Sequence, residues 1–189
     1  MPMKEDQYPV DSRGCPDLRC YTDSLDYYIQ MYERHLGTLQ GKKGPGYEIE
    51  LAFSRRVNGV WGLIAKGTAA ARYALSLLQR SEPEAREDGA AILAELGGDD
   101  GVVDNLLETL RTEKDTTARD SLIAALGQIK NRRAVPVLAA IIRGESADGD
   151  TRWTAVESLG LIVRKRFLKQ ADPVKAAKDW LDKHPDHKA

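Results

Sequence analysis

The sequence predicts an all-α chain built as a stack of helix pairs, and three observations carry that prediction. Apolar residues recur at three- and four-residue steps through most of the chain, and no stretch alternates convincingly with period two. Gly, Pro and Asp punctuation falls every 12–18 residues, which is the length of a core helix with its turn. From about residue 70 the chain also resembles itself at a period near 32.

The elements follow in order. Residues 1–22 hold Pro2, Pro9, Gly14 and Pro16 with little periodicity and read as an irregular arm. Over 23–39, Leu25, Tyr28, Ile29, Tyr32 and Leu36 share one face; Thr22 or Asp23 supplies the cap and Gly37 the stop. Residues 41–46 are a loop by composition. Helices are then expected near 48–66, 68–80, 83–97, 101–112, 116–129, 132–143, 151–168 and 173–183. The chain divides accordingly into an arm with a capping helix (1–45), a repeat region (46–183) and a tail (184–189).

Self-similarity organises the repeat region. Leu96-Gly97, Leu126-Gly127 and Leu159-Gly160 each read as the end of a first helix, at spacings of 30 and 33 residues. Asp115, Arg119 and Ala125 lead into the second of these; Asp150, Arg152 and Ala155 lead into the third. The partner helices match as well, Ala134, Pro136, Leu138 and Ile142 against Val102, Leu106 and Leu110. A fainter copy runs through Ala70, Leu75 and Leu78. Each pair has an apolar stripe that it cannot bury alone, so neighbours must stack. Asp115 and Asp150 stand where caps are needed, and Pro136 lies in the first turn of its helix, where a missing N–H costs little.

This Asp, Arg, Ala-Leu-Gly pattern, followed by an Ala-Val-Pro-x-Leu second helix, resembles HEAT repeats of the short bacterial kind and the related phycobilisome-lyase repeats. The resemblance covers residues 83–168 well, 48–82 weakly and 1–45 not at all. Its first copy departs from the pattern, because Arg86 lies 11 residues before Gly97 while Arg119 and Arg152 lie 8 before Gly127 and Gly160. It implies a right-handed α-solenoid of about four helix pairs behind an N-terminal capping helix, with second helices lining a concave surface. It says little about function, because one scaffold carries many jobs.

Composition bounds the function classes. At 189 residues the chain makes one domain, or one with a tail, and can bury a real core. A net charge of −1 disfavours a nucleic-acid binder driven by overall positive charge. Two cysteines, no apolar leader after Met1 and no run of 18 apolar residues fit a cytoplasmic protein outside the membrane.

The chemical candidates are weak. Cys15, Cys20 and His35 make three ligands where structural zinc takes four with tighter spacing. His184 and His187 belong to a polar tail. The glycine-lysine stretches at 41–46 and 62–68 lack the order of a phosphate loop and follow no strand. The expectation is a non-enzyme with no cofactor and no metal.

Charge is more informative when divided. Residues 82–120 carry −8, residues 121–189 carry +5 and residues 1–81 carry +2. On the family reading the acidic block faces the concave groove. Asp99, Asp100, Asp104, Asn105 and Glu108 would then meet the cations of a protein partner more basic than this chain, with Arg133 and Arg143 at the rim. One version is an immunity protein that covers a basic toxin. Two rivals are a nucleic-acid or DNA-repair protein, drawing on Arg164, Lys165, Arg166 and Lys169, and a phycobiliprotein lyase or chaperone. Nucleic acid is the less favoured partner, no membrane is expected, and the oligomeric state is not specified. Tyr21, Tyr27, Tyr28 and Tyr32 cluster as a capping helix requires, rather than as a binding hot spot.

Overall fold

The computed structural model describes residues 9–12, 16–36, 46–144 and 149–185, with the backbone alone for 46–54. Among these the regular structure is helical, apart from one isolated bridge between Val10 and Pro16. The chain forms two compact units, Met1–Ala74 and Leu75–Ala189.

In the first unit, α1 (Leu25–His35) packs along α2 (Gly46–Ala65), and a 3-10 turn at Gly67–Ala70 leads into α3 (Ala71–Leu77), within which the boundary between the units falls. The cap of α1 is Ser24, not Thr22 or Asp23. Its hydroxyl accepts from the Tyr27 N–H at 3.1 Å, because Ser24 is the last extended residue before the helix. The tyrosine cluster is core. Tyr28 and Tyr32 are fully buried and Tyr21 is nearly so. Their polar ends are satisfied inside the unit: the Tyr21 hydroxyl donates to Asn58 at 3.0 Å, and the Tyr28 hydroxyl accepts from the Asp23 N–H at 3.2 Å. The Tyr28 ring lies against Gly62, where an added Cβ would stand 2.0 Å from a ring carbon. Gly62→Val is therefore expected to remove about 2 kcal/mol from this unit by overpacking, read as a lower urea midpoint with loss of the near-UV tyrosine signal.

In the second unit, α4 (Pro83–Leu96), α6 (Thr116–Ile129) and α8 (Gly149–Val163) form one layer; α5 (Asp100–Thr112), α7 (Val135–Arg143) and α9 (Pro173–Lys183) form the other. The most extensive contacts join α4 to α6 and α6 to α8, while α5 packs on α6 and α7 on α8. This is an all-α solenoid: each pair buries its stripe against the next. Asp99, Asp115 and Asp172 cap α5, α6 and α9, each carboxylate accepting the N–H three residues on at 2.9–3.0 Å.

The structure corrects the register of the first copy. Ala85, Ala118 and Thr151 are buried at a strict spacing of 33, as are Ala90, Ile123 and Val156, and Leu93, Leu126 and Leu159. Arg86, Arg119 and Arg152 are likewise each the fourth residue of their helix. The counterpart of Gly127 and Gly160 is thus Ala94, and Leu96-Gly97 is a chance echo three residues late. Gly97 (φ +73°) does end α4, but Gly127 and Gly160 lie inside their helices. Gly127 is a point where α6 and α8 approach closely, since a Cβ there would stand 2.6 Å from Ser158 Cα.

Two further expectations shift. The 151–168 helix stops at Val163, because Arg164 adopts a left-handed conformation (φ +57°) and the Lys165 N–H turns back to the Gly160 carbonyl at 2.9 Å. Asp150 lies in the first turn of α8, near the helix N-terminus but not at the cap. Cys15, Gly37, 41–45 and His187 lie outside the described residues, and Gly46 opens α2.

Candidate functional site

The acidic face grows out of the turn between α4 and α5. Asp99 is extended there and its carboxylate is used in capping, receiving the Val102 N–H at 3.0 Å. Asp100, Asp104 and Glu108 then follow at i, i+4 and i+8, so they form one stripe along α5. All three are well exposed, at 71%, 54% and 67% of the side chain.

The stripe is not bare. Arg133 reaches across from the turn before α7, pairing with the Asp104 carboxylate, lying 3.8 Å from that of Asp100 and donating to the Asp100 carbonyl at 3.3 Å. Asn131 caps that turn by accepting the Arg133 N–H at 3.0 Å, and its amide donates to Asp100 at 2.8 Å. Arg111 meets Glu108 at 2.8 Å, one turn along α5. Asn105 folds back onto its own helix, donating to the Gly101 carbonyl at 2.9 Å. A groove of about 510 Å³ is lined by Asp104, Asn105, Leu107, Glu108, Arg111 and Arg133.

Arg143 is elsewhere. It stands at the far end of α7, where it pairs with Asp182 of α9 at 2.7 Å. The structure thus gathers Asp99, Asp100, Asp104, Asn105, Glu108 and Arg133 and leaves Arg143 apart. Sequence reasoning missed Arg111 and Asn131 as members of the face. The i,i+3 spacing of Glu108 and Arg111 was a legible signal for the first; the second needs the packing of two repeats.

Near this face lies a buried ion pair, Arg86 with Glu113, whose side chains are 16% and 1% exposed. Arg86 Nε and Nη2 grip the Glu113 carboxylate, the second contact at 2.8 Å, while Nη1 donates to the carbonyls of Arg80 and Ser81 at 2.8 and 2.9 Å. Glu113 also accepts the N–H groups of Lys114 and Asp115 at 2.9 and 3.0 Å. The Arg86 hydrogen bond holds the Glu113 carboxyl below its ordinary 4.5, outweighing burial, which pushes it up. Every polar group of this clamp is satisfied, so its role is to tie the start of α4 to the α5–α6 turn. A cleft of about 340 Å³ beside it shares Glu108 with the exposed stripe.

Among the described residues, no group of three His, Cys, Asp or Glu side chains could hold a metal ion. His35 is buried in α1, and Cys20 is an exposed free thiol. No helix of the described residues is long and apolar enough to cross a membrane. A family model described as HEAT repeats matches residues 103–188, from within α5 through α9. The stacked pairs from α5 onward are similar to that family. No curated protein and no solved structure gives a significant match.

Proposed function

We propose, from the likeness of residues 103–188 to HEAT repeats, that the second unit is a non-catalytic scaffold that binds a protein partner more basic than this chain. The observation that carries this reading is the exposed stripe Asp100, Asp104, Glu108, whose counter-ions are the exposed side chains of Arg133 and Arg111. Exposed pairs of this kind contribute about 0–1 kcal/mol. Partner lysines and arginines can therefore take their place with little loss, and the three carboxylates of the stripe against two guanidiniums leave the face net negative. On the family reading the second helices, α5 among them, line the concave side, and the partner is occluded there. Neutralising a basic toxin is one form such binding would take.

The test is the double variant Asp104→Lys with Glu108→Lys. A partner captured by the full chain at low salt and released at moderate salt is identified by mass spectrometry, and its affinity is measured for both proteins. The variant is expected to bind at least about tenfold more weakly, with an unchanged helical circular dichroism spectrum because both positions are exposed. Equal affinity, or capture of nucleic acid in place of protein, overturns the proposal.

A further inference from the structure

We propose that the connection between α8 and α9 forms a second docking surface, for an acidic protein segment that carries large apolar side chains. This does not rest on the α5 face; it concerns other residues and the opposite charge.

The connection is unusual within its own stack. It spans nine residues, 164–172, against five between α6 and α7 and three between α4 and α5. In repeat proteins, insertions in one repeat map to loops on one face, often a binding face. This loop is folded rather than loose. The Lys165 N–H bonds back to Gly160, a 3-10 turn runs over Phe167–Lys169, and Phe167 is buried with its ring edge-on to Trp180 at 6.3 Å. A surface held in shape this way loses little entropy on binding.

Between the loop and α8 lies a groove of about 550 Å³. Its apolar lining is the exposed Leu161, the half-buried Leu168 and the buried Val156 and Phe167. Its charged lining is Lys130, Arg164, Lys165, Arg166 and Lys169, with Glu157 the one carboxylate among the lining residues. Among the described residues none of these five cations pairs with a carboxylate, whereas Arg111, Arg133 and Arg143 each do. Lys130 and Arg164 stand at the C-terminal ends of α6 and α8, where a cation offsets the helix dipole. Arg166, which precedes the 3-10 turn, has no such duty. Among the described residues of this unit, Leu161 and Trp153, 40% and 47% exposed, are the exposed large apolar ones and lie eight residues apart on α8, about 12 Å along the helix; Leu161 lines the groove and Trp153 does not.

Five cations against one carboxylate select an acidic occupant, and the apolar lining around the exposed Leu161 selects one with hydrophobic side chains. A single nucleic-acid strand would stack on exposed aromatic faces, but the aromatic residue that lines this groove, Phe167, is only 6% exposed, and Trp153 lies outside the lining. A lipid surface would need several projecting apolar side chains, and of the four that line this groove only Leu161 is well exposed.

The test uses the full chain and four probes: a fluorescent peptide of Glu, Leu and Phe, the same peptide with Ser for Leu and Phe, a short oligonucleotide, and anionic phosphatidylserine vesicles. The first peptide is expected to bind at least about fivefold more tightly than the second. The triple variant Lys165→Glu, Arg166→Glu, Lys169→Glu is expected to weaken it at least about tenfold. Leu161→Ser, which leaves the charge intact, is expected to weaken it about threefold. Failure of the first peptide to bind, equal binding of the serine peptide, tighter binding of the oligonucleotide or vesicles, or no effect of the triple variant overturns the proposal.

Discussion

Glu113→Ala is expected to destabilise the second unit by about 3 kcal/mol, the low end of what breaking a buried ion pair does. The Glu113 side chain is 1% exposed and that of Arg86 16%. Removing the carboxylate strands the guanidinium with only the carbonyls of Arg80 and Ser81, and it orphans the Lys114 and Asp115 N–H groups at the start of α6. Arg86→Ala is expected to cost less, about 2 kcal/mol, because Glu113 keeps those two backbone donors. Urea unfolding of both single variants and the double variant should give a coupling above about 1 kcal/mol; additive effects would deny the clamp. The pair also sets an acid limit. Since the folded Glu113 carboxyl titrates below 4.5, its contribution is complete above that pH and is lost as the pH falls through the folded value. The stability gap between the natural chain and Glu113→Gln should therefore shrink on acidification below 4.5.

Gly127→Leu is expected to be at least as damaging, about 3 kcal/mol or more. The obstacle is backbone: the added Cβ would lie 2.6 Å from Ser158 Cα, so no rotamer change relieves it and α6 must move off α8. The move also breaks the Ser158 hydroxyl bond to the Ile123 carbonyl, 3.0 Å long in a buried site. Gly149→Ala, where a Cβ meets nothing within 4 Å, serves as the control and is expected to change stability by less than about 1 kcal/mol. A thermal melt of the full chain separates the two; a mild Gly127→Leu would mean the interface has slack that its geometry denies.

The candidate face was partly legible. Asp100, Asp104 and Glu108 could be read as a stripe because helical spacing alone puts i, i+4 and i+8 on one side. That Asp99 is spent on a cap was also readable, since an Asp before an apolar-periodic run has a local partner three residues on. Arg143 could not be placed from sequence. Its distance from Arg133 along the chain says nothing about Asp182, 39 residues away, which claims it. The basic groove was half visible, as a run of cations at 164–169, but its apolar floor comes from α8 and the loop folding together.

The sequence by itself determined the helical class, the helix pairs, the Asp115 cap and a repeat near the true length, because these depend on residues within a turn or two of one another. Only the tertiary structure decided the register of the first copy. The Leu96-Gly97 echo is a local coincidence, while the burial of Leu93, Leu126 and Leu159 at intervals of 33 is a property of packed layers. It also decided which charges are exposed and which are clamped. Arg86 and Arg133 are alike on paper, and one is buried on Glu113 while the other fans over exposed carboxylates. Ion pairs and close approaches join residues about thirty positions apart, and no local preference specifies them.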